Sequence, residues 1–189
     1  MRIAFFVSIV AVLTACGTTA GSGKGPEPTS TSVGGTVGGQ SFDVKDAVGF
    51  YNTTSQYSGL FITNFTGSCT LLAGGLTAPP STQLLEIELI ADGIATAPGS
   101  GTYTLGTTED VLLIATYAAS DANCNAAVTE EASAGSVTMD TANATTVTGT
   151  FDLTFPNGDH LTGQFDAPVC NIDITNLGSN GGSCGGSDQ

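Results

Sequence analysis

Between Thr145 and Pro168 the chain alternates with a period of two, and this constrains its fold more than any other feature. Val147, Gly149, Phe151, Leu153 and Phe155 are separated by Thr148, Thr150, Asp152 and Thr154, so an extended chain here has one apolar and one polar face. Asn157-Gly158 follows, a dipeptide that favours a two-residue turn in which both positions take positive φ. Leu161, Gly163, Phe165 and Ala167 then repeat the alternation in the opposite sense. The segment predicts a half-buried antiparallel hairpin.

The rest of the chain carries the same signal. Residues 57–64, 83–91, 102–105, 111–118 and 136–140 are short, rich in β-branched or aromatic side chains, and separated by Gly, Pro, Asn or Asp. No segment sustains a helical period, and only residues 68–73 suggest a turn or two of helix. The expectation is an all-β antiparallel sandwich or barrel-like domain of roughly seven to nine strands over residues 40–169, stapled by disulfides.

The N-terminus reads as an export signal. Met1-Arg2 is followed by an apolar run, residues 3–13, of about eleven residues, too short for the roughly twenty that a spanning helix needs. Leu13-Thr14-Ala15-Cys16 resembles the lipobox of bacterial lipoprotein precursors, in which the cysteine is acylated and becomes the first mature residue. That resemblance implies a signal peptide over residues 1–15, lipidation of Cys16 and a membrane anchor of several acyl chains, each buried methylene contributing about 0.8 kcal/mol. Gly17, where an aspartate would favour retention at the inner membrane, implies a cell-envelope protein held at the outer membrane. Residues 16–39, rich in Gly, Ser, Thr and Pro, are expected to be the lipidated cysteine and a flexible tether. "AGSGKG", residues 20–25, lacks the upstream glycine and the Ser or Thr after Lys24 that a phosphate-binding loop requires.

Gly101-Thr-Tyr103, Gly149-Thr-Phe151 and Gly163-Gln-Phe165 each place a glycine and an aromatic on one strand face, leaving room for a neighbouring ring over the glycine. With the lipobox and tether, these motifs resemble a loosely defined group of bacterial lipoproteins of unassigned role. The resemblance covers the signal and roughly the last half of the chain. It implies an all-β domain and supplies no catalytic residues.

Charge narrows the function. The formal net charge is −14, and loss of Arg2 with the signal would leave Lys24 and Lys45 against seventeen carboxylates. Nucleic acid is excluded, because phosphate binding rests on Lys and Arg. With Cys16 assigned to lipid, Cys69, Cys124, Cys170 and Cys184 remain, an even number with three possible pairings. Cys170 and Cys184 bracket a Gly/Asn-rich tail, residues 170–189, that has little else to hold it, so Cys170–Cys184 and Cys69–Cys124 are the expected bridges. No metal or cofactor is expected: the cysteines lack C-x-x-C spacing, and His160 is the single histidine.

Catalytic candidates are few. His160 follows Asp159 just after the turn and reads as a solvated residue. Glu86 and Glu88, two apart in a strand, share a face roughly 6.5–7 Å apart and invite comparison with paired glycosidase carboxylates, although a polar outer face opposite Leu85, Ile87 and Leu89 explains them as well. "DANCN", residues 121–125, begins like a calcium loop, but Ala126 and Ala132 stand where glycine and glutamate are needed. The N-x-T sequons at Asn52, Asn64 and Asn143 read as turn and strand-edge residues. The function expected is a non-enzymatic, lipid-anchored envelope domain that binds a partner or serves structurally. The alternatives are a small apolar-ligand carrier with a barrel cavity and an acidic hydrolase using Glu86 and Glu88.

Overall fold

A computed structural model of the chain describes residues 30–73, 78–91, 96–107 and 110–170. Among these residues eleven strands and one short helix follow in the order β1 Ser32–Val37, β2 Gln40–Ser41, β3 Asp46–Asn52, β4 Tyr57–Thr63, α1 Ser68–Leu72, β5 Gln83–Ala91, β6 Gly101–Thr104, β7 Val111–Ser120, β8 Ala126–Glu131, β9 Ala134–Ala142, β10 Thr146–Thr154 and β11 His160–Pro168. They form two antiparallel sheets, of six strands in the order β2-β1-β11-β10-β9-β6 and of five in the order β3-β4-β5-β7-β8. The all-β antiparallel sandwich expected from the alternation is the fold.

Its core lies between the sheets. The six-stranded sheet contributes Val137, Met139, Val147, Phe151, Leu153, Leu161 and Phe165, and the five-stranded sheet contributes Leu60, Ile62, Leu85, Ile87, Leu89 and Tyr117. Alternation decides the face: Leu85, Ile87 and Leu89 are fully buried, as their register opposite Glu86 and Glu88 requires. Phe155 and Tyr117 meet edge to face, ring centres 6.4 Å apart, and join the sheets.

A second apolar cluster sits on the outer face of the five-stranded sheet. Val48, Phe50, Tyr57, Phe61 and Cys170 form it, with Cys69, Leu72 and Leu84 packed against it. Helix α1 covers this corner. Asp46 Oδ2 accepts the N–H groups of Gly67 at 3.0 Å and Ser68 at 2.9 Å, capping the helix from another strand.

Four expectations are corrected. The described residues hold eleven strands where seven to nine were expected, because β1, β2, β3 and β8 lack the alternation that marks the others. The tether does not extend to Gly39, because Ser32–Val37 is a strand paired with β11 from Ser32↔Gln164 to Thr36↔His160. The β10–β11 turn is not a two-residue loop: Gly158 N–H donates to Phe155 O, Phe155 N–H donates to Asp159 O, and only Gly158, at φ 86, is left-handed. This is a type I turn with Pro156 at the position that suits its fixed φ, followed by a left-handed glycine. The disulfide is Cys69–Cys170, across a sequence separation of 101. The expected Cys69–Cys124 and Cys170–Cys184 pairs are therefore wrong, since each gives up one of its members to this bridge. Cys124 is also disulfide-bonded. Cys184 lies outside the described residues, as do Cys16, the signal and the tail beyond Cys170.

Candidate functional site

Strand β5 is the centre of the five-stranded sheet, which places Glu86 and Glu88 mid-face rather than at an edge. Glu86 stands between Phe61 on β4 and Thr116 on β7; Glu88 stands between Gly59 and Ile114. Phe50, directly opposite Gly59 on β3, turns its ring over that glycine, with Cζ 2.5 Å from where a Cβ would stand. The carboxylates thus lie beside the aromatic cluster of Phe50, Tyr57 and Phe61, whose rings are 5.2 and 5.8 Å from one another through Phe50. Glu88 is buried and Glu86 half-buried.

That environment alters their chemistry. Loss of hydration on burial, followed by repulsion from Glu88, pushes Glu86 from 4.5 up to about 8. Burial also raises Glu88. No described residue hydrogen-bonds either carboxylate. The expected polar outer face is therefore correct as to face and incomplete as to environment. Alternation identifies the side on which Glu86 points, but not the aromatic neighbours that pairing brings from β3 and β4.

The other candidates lie elsewhere. His160 opens β11 on the outer face of the six-stranded sheet, with Nε2 2.7 Å from Asp152 Oδ1, and both side chains are about half exposed or more. Asp159 is not its partner: Asp159 Oδ2 accepts Gly38 N–H at 2.6 Å and Asn157 Nδ2 at 2.7 Å, tying the β1–β2 turn to the β10–β11 turn. His160 and the Glu86–Glu88 pair occupy opposite outer faces of the sandwich, so the fold does not bring them together.

The Asp121 carboxylate is taken up by its own loop, its Oδ1 accepting Asn123 and Asn125 N–H at 2.8 and 2.9 Å. The Asn125 side chain is the largest cause holding its pKa below the usual carboxylate range. The three sequon asparagines also bond backbone groups, Asn52 and Asn143 within their own turns and Asn64 across to the start of β5. Asn52 Oδ1 accepts the N–H groups of Thr54 and Ser55, Asn143 Oδ1 those of Thr145 and Thr146, and Asn64 Oδ1 that of Gln83.

One polar group escapes sequence reasoning. Glu130 Oε1 accepts Asn157 Nδ2 at 3.2 Å across the end of the sandwich, and its Oε2 is buried without a partner among the described residues. No spacing in the sequence connects positions 130 and 157; only the packing of the sheets does. A void of about 30 Å³ lies under α1, lined by Phe61, Phe65, Leu71, Leu72 and Leu84, room for about one water. Between the sheets Tyr117, Phe155, Leu60 and Ile62 are all under 2% exposed. Among the described residues no group of three or more His, Cys, Asp or Glu is placed to hold a metal ion, and no helix is long and apolar enough to cross a membrane. No protein-family model, curated protein or solved structure matches the chain.

Proposed function

We propose that the chain is a lipid-anchored cell-envelope protein whose β-sandwich binds a partner or serves structurally, without catalysis. The observation that carries this reading is the buried apolar interior between the two sheets. With Tyr117 and Phe155 in edge contact between the sheets, Glu86, Glu88 and His160 lie on the outer sheet faces, which supports a surface-binding module over a chamber. The same packing weighs against a carrier of small apolar ligands. A disulfide between Cys69 and Cys170 suits an exported, oxidising compartment. The test is incorporation of labelled fatty acid: the wild-type chain should label and partition into detergent, Cys16→Ser should do neither, and unchanged partitioning would overturn the anchor.

A second reading, an acidic hydrolase, draws support from Glu86. A carboxyl group with a pKa of about 8 beside a second carboxylate holds a proton at neutral pH and could deliver it as a general acid. Turnover of a glycan by the wild-type protein, lost in Glu86→Gln without loss of folding, would favour it over the first reading.

A further inference from the structure

Glu88 is only 8% exposed, and no described residue donates a hydrogen bond to it or stands beside it as a cation. A group that ionises in water is thus buried without a partner, next to a second carboxylate, Glu86, in the same condition. The described residues hold one lysine or arginine, Lys45, and its Nζ is already 2.9 Å from Asp43 Oδ2. The other titratable groups on this face are Asp46, which caps α1, Tyr57 on β4, and Glu131, opposite Thr116 on β8. Helix α1 carries no charge. Towards β7 the face opens: Thr116, Ile114 and Ile90 are half-buried, and Leu112, opposite Ile90, is 45% exposed.

We propose that Glu86 and Glu88 are the binding site for a guanidinium group on an apolar stem, an arginine side chain of a partner protein, with its head at the two carboxylates and its stem over Ile114 and Leu112. The proposal rests on the surface-binding reading and names its partner's chemistry; it does not need the lipid anchor. The surroundings select the cation. A calcium ion takes six to eight oxygen ligands, whereas this part of the face offers two carboxylates and the Thr116 hydroxyl, its strand carbonyls being engaged in the sheet. Phe61 beside Glu86, Phe50 over Gly59 beside Glu88, and Ile114 give an apolar and aromatic surround. Such a surround suits the weakly hydrated, planar guanidinium better than a strongly hydrated ammonium. Same-face neighbours two apart in a strand are roughly 6.5–7 Å apart, a spacing that the several donors of one guanidinium can bridge. A net charge of −14 draws cations to the chain as a whole, and the site gives one of them a specific seat. The raised pKa of Glu86 is what a carboxyl in want of a counterion shows, so the arriving cation keeps its own proton while Glu86 releases one to water.

Carbon-13 NMR of the glutamate carboxyls in the full chain, titrated with n-butylguanidinium, n-butylammonium and calcium, tests the site. Butylguanidinium should shift the Glu86 and Glu88 carboxyls saturably and lower the Glu86 midpoint by about one pH unit or more. Its affinity should rise with pH through that titration, by about tenfold in total for each unit of the lowering. Glu88→Gln, which keeps the shape of the side chain, should weaken binding about tenfold or more while the amides of β10 and β11 keep their hydrogen-exchange protection. Cys16→Ser should bind as the wild type does, so failure of the anchor and failure of this site are separate results. Absence of a saturable shift, affinity that does not change with pH, or unweakened binding by Glu88→Gln would overturn the proposal. Calcium or butylammonium binding as tightly as butylguanidinium would also overturn it, as showing a site for positive charge in general.

Discussion

The ring of Phe151 lies over Gly163, directly opposite on the neighbouring strand, with its Cζ 2.6 Å from where a Cβ on that glycine would stand. The relationship is reciprocal. Gly149 stands opposite Phe165, whose Cζ would be 2.8 Å from a Cβ there, and the two rings stack with centres 6.5 Å apart and planes 18° apart. Each glycine leaves a gap in the inner face that the ring of the other strand fills. Phe50 over Gly59 repeats the device in the other sheet.

Gly163→Ala should therefore destabilise the domain by about 1–3 kcal/mol, because the added methyl meets both the Phe151 ring and the backbone oxygen of Ser32. Combining it with Phe151→Leu should cost less than the sum of the two single changes, since the smaller side chain vacates part of the space. Urea unfolding of the three variants gives the comparison. Strict additivity would show that the ring does not depend on the glycine.

The β10–β11 turn makes a cleaner backbone test. A Cβ at Gly158 would meet nothing within 4 Å, so a substitution there feels only the left-handed φ of 86. Gly158→Val should cost about 1–2 kcal/mol and Gly158→Asn distinctly less, because asparagine tolerates this region. Equal midpoints for the two variants in thermal unfolding would contradict the turn geometry.

Alternation made seven strands legible, and failed where its physical basis is absent. Strand β1, Ser-Val-Gly-Gly-Thr-Val, has the composition of a linker; it pairs because glycine lets it approach β11, a Cβ on Gly35 running into the His160 carbonyl oxygen. Strand β3, Asp46–Asn52, shows no alternation because it is buried on both faces over its first five residues. Strand β8, Ala126–Glu131, has only Val128 and Thr129 as strand-forming residues and is held as an edge against β7. The disulfide was misread because nearness in sequence stood in for nearness in space, whereas Val169, one residue before Cys170, bridges to Gly49 on β3. For the carboxylates, the face was readable from Leu85, Ile87 and Leu89, and the neighbours were not, since strand pairing alone sets Glu86 beside Phe61 and Glu88 beside Gly59.

Asp46 carries the attachment of α1 to β3. Asp46→Ala removes the acceptor of two N–H groups, one of them buried, and should cost about 1–3 kcal/mol. The Cys69–Cys170 bridge keeps α1 tethered in that variant, so fraying should be local: amides of residues 67–72 should lose hydrogen-exchange protection while those of β10 and β11 keep theirs. Uniform loss across both sheets would show that the cap supports the whole fold.

Glu86 gives the stability of the domain a pH dependence of definite sign. Folding raises its pKa from 4.5 to about 8, so the folded chain holds this proton more tightly than the unfolded chain does. Below pH 4.5 both states are protonated and the group is neutral in its effect. Between 4.5 and 8 the unfolded chain has released the proton while the folded chain retains it, and stability falls as pH rises. Above 8 both are ionised and the loss levels off, at a total on the order of a few kcal/mol. The raised Glu88 acts in the same direction. Repulsion among the other carboxylates also grows with pH, so the informative quantity is the difference between the wild-type protein and Glu86→Gln. The variant should match the wild type near pH 4.5, become progressively more stable relative to it up to pH 8, and run parallel beyond. Urea midpoints measured across that range test it, and a constant difference between the two proteins would mean that Glu86 is hydrated in the folded state and titrates as an ordinary glutamate.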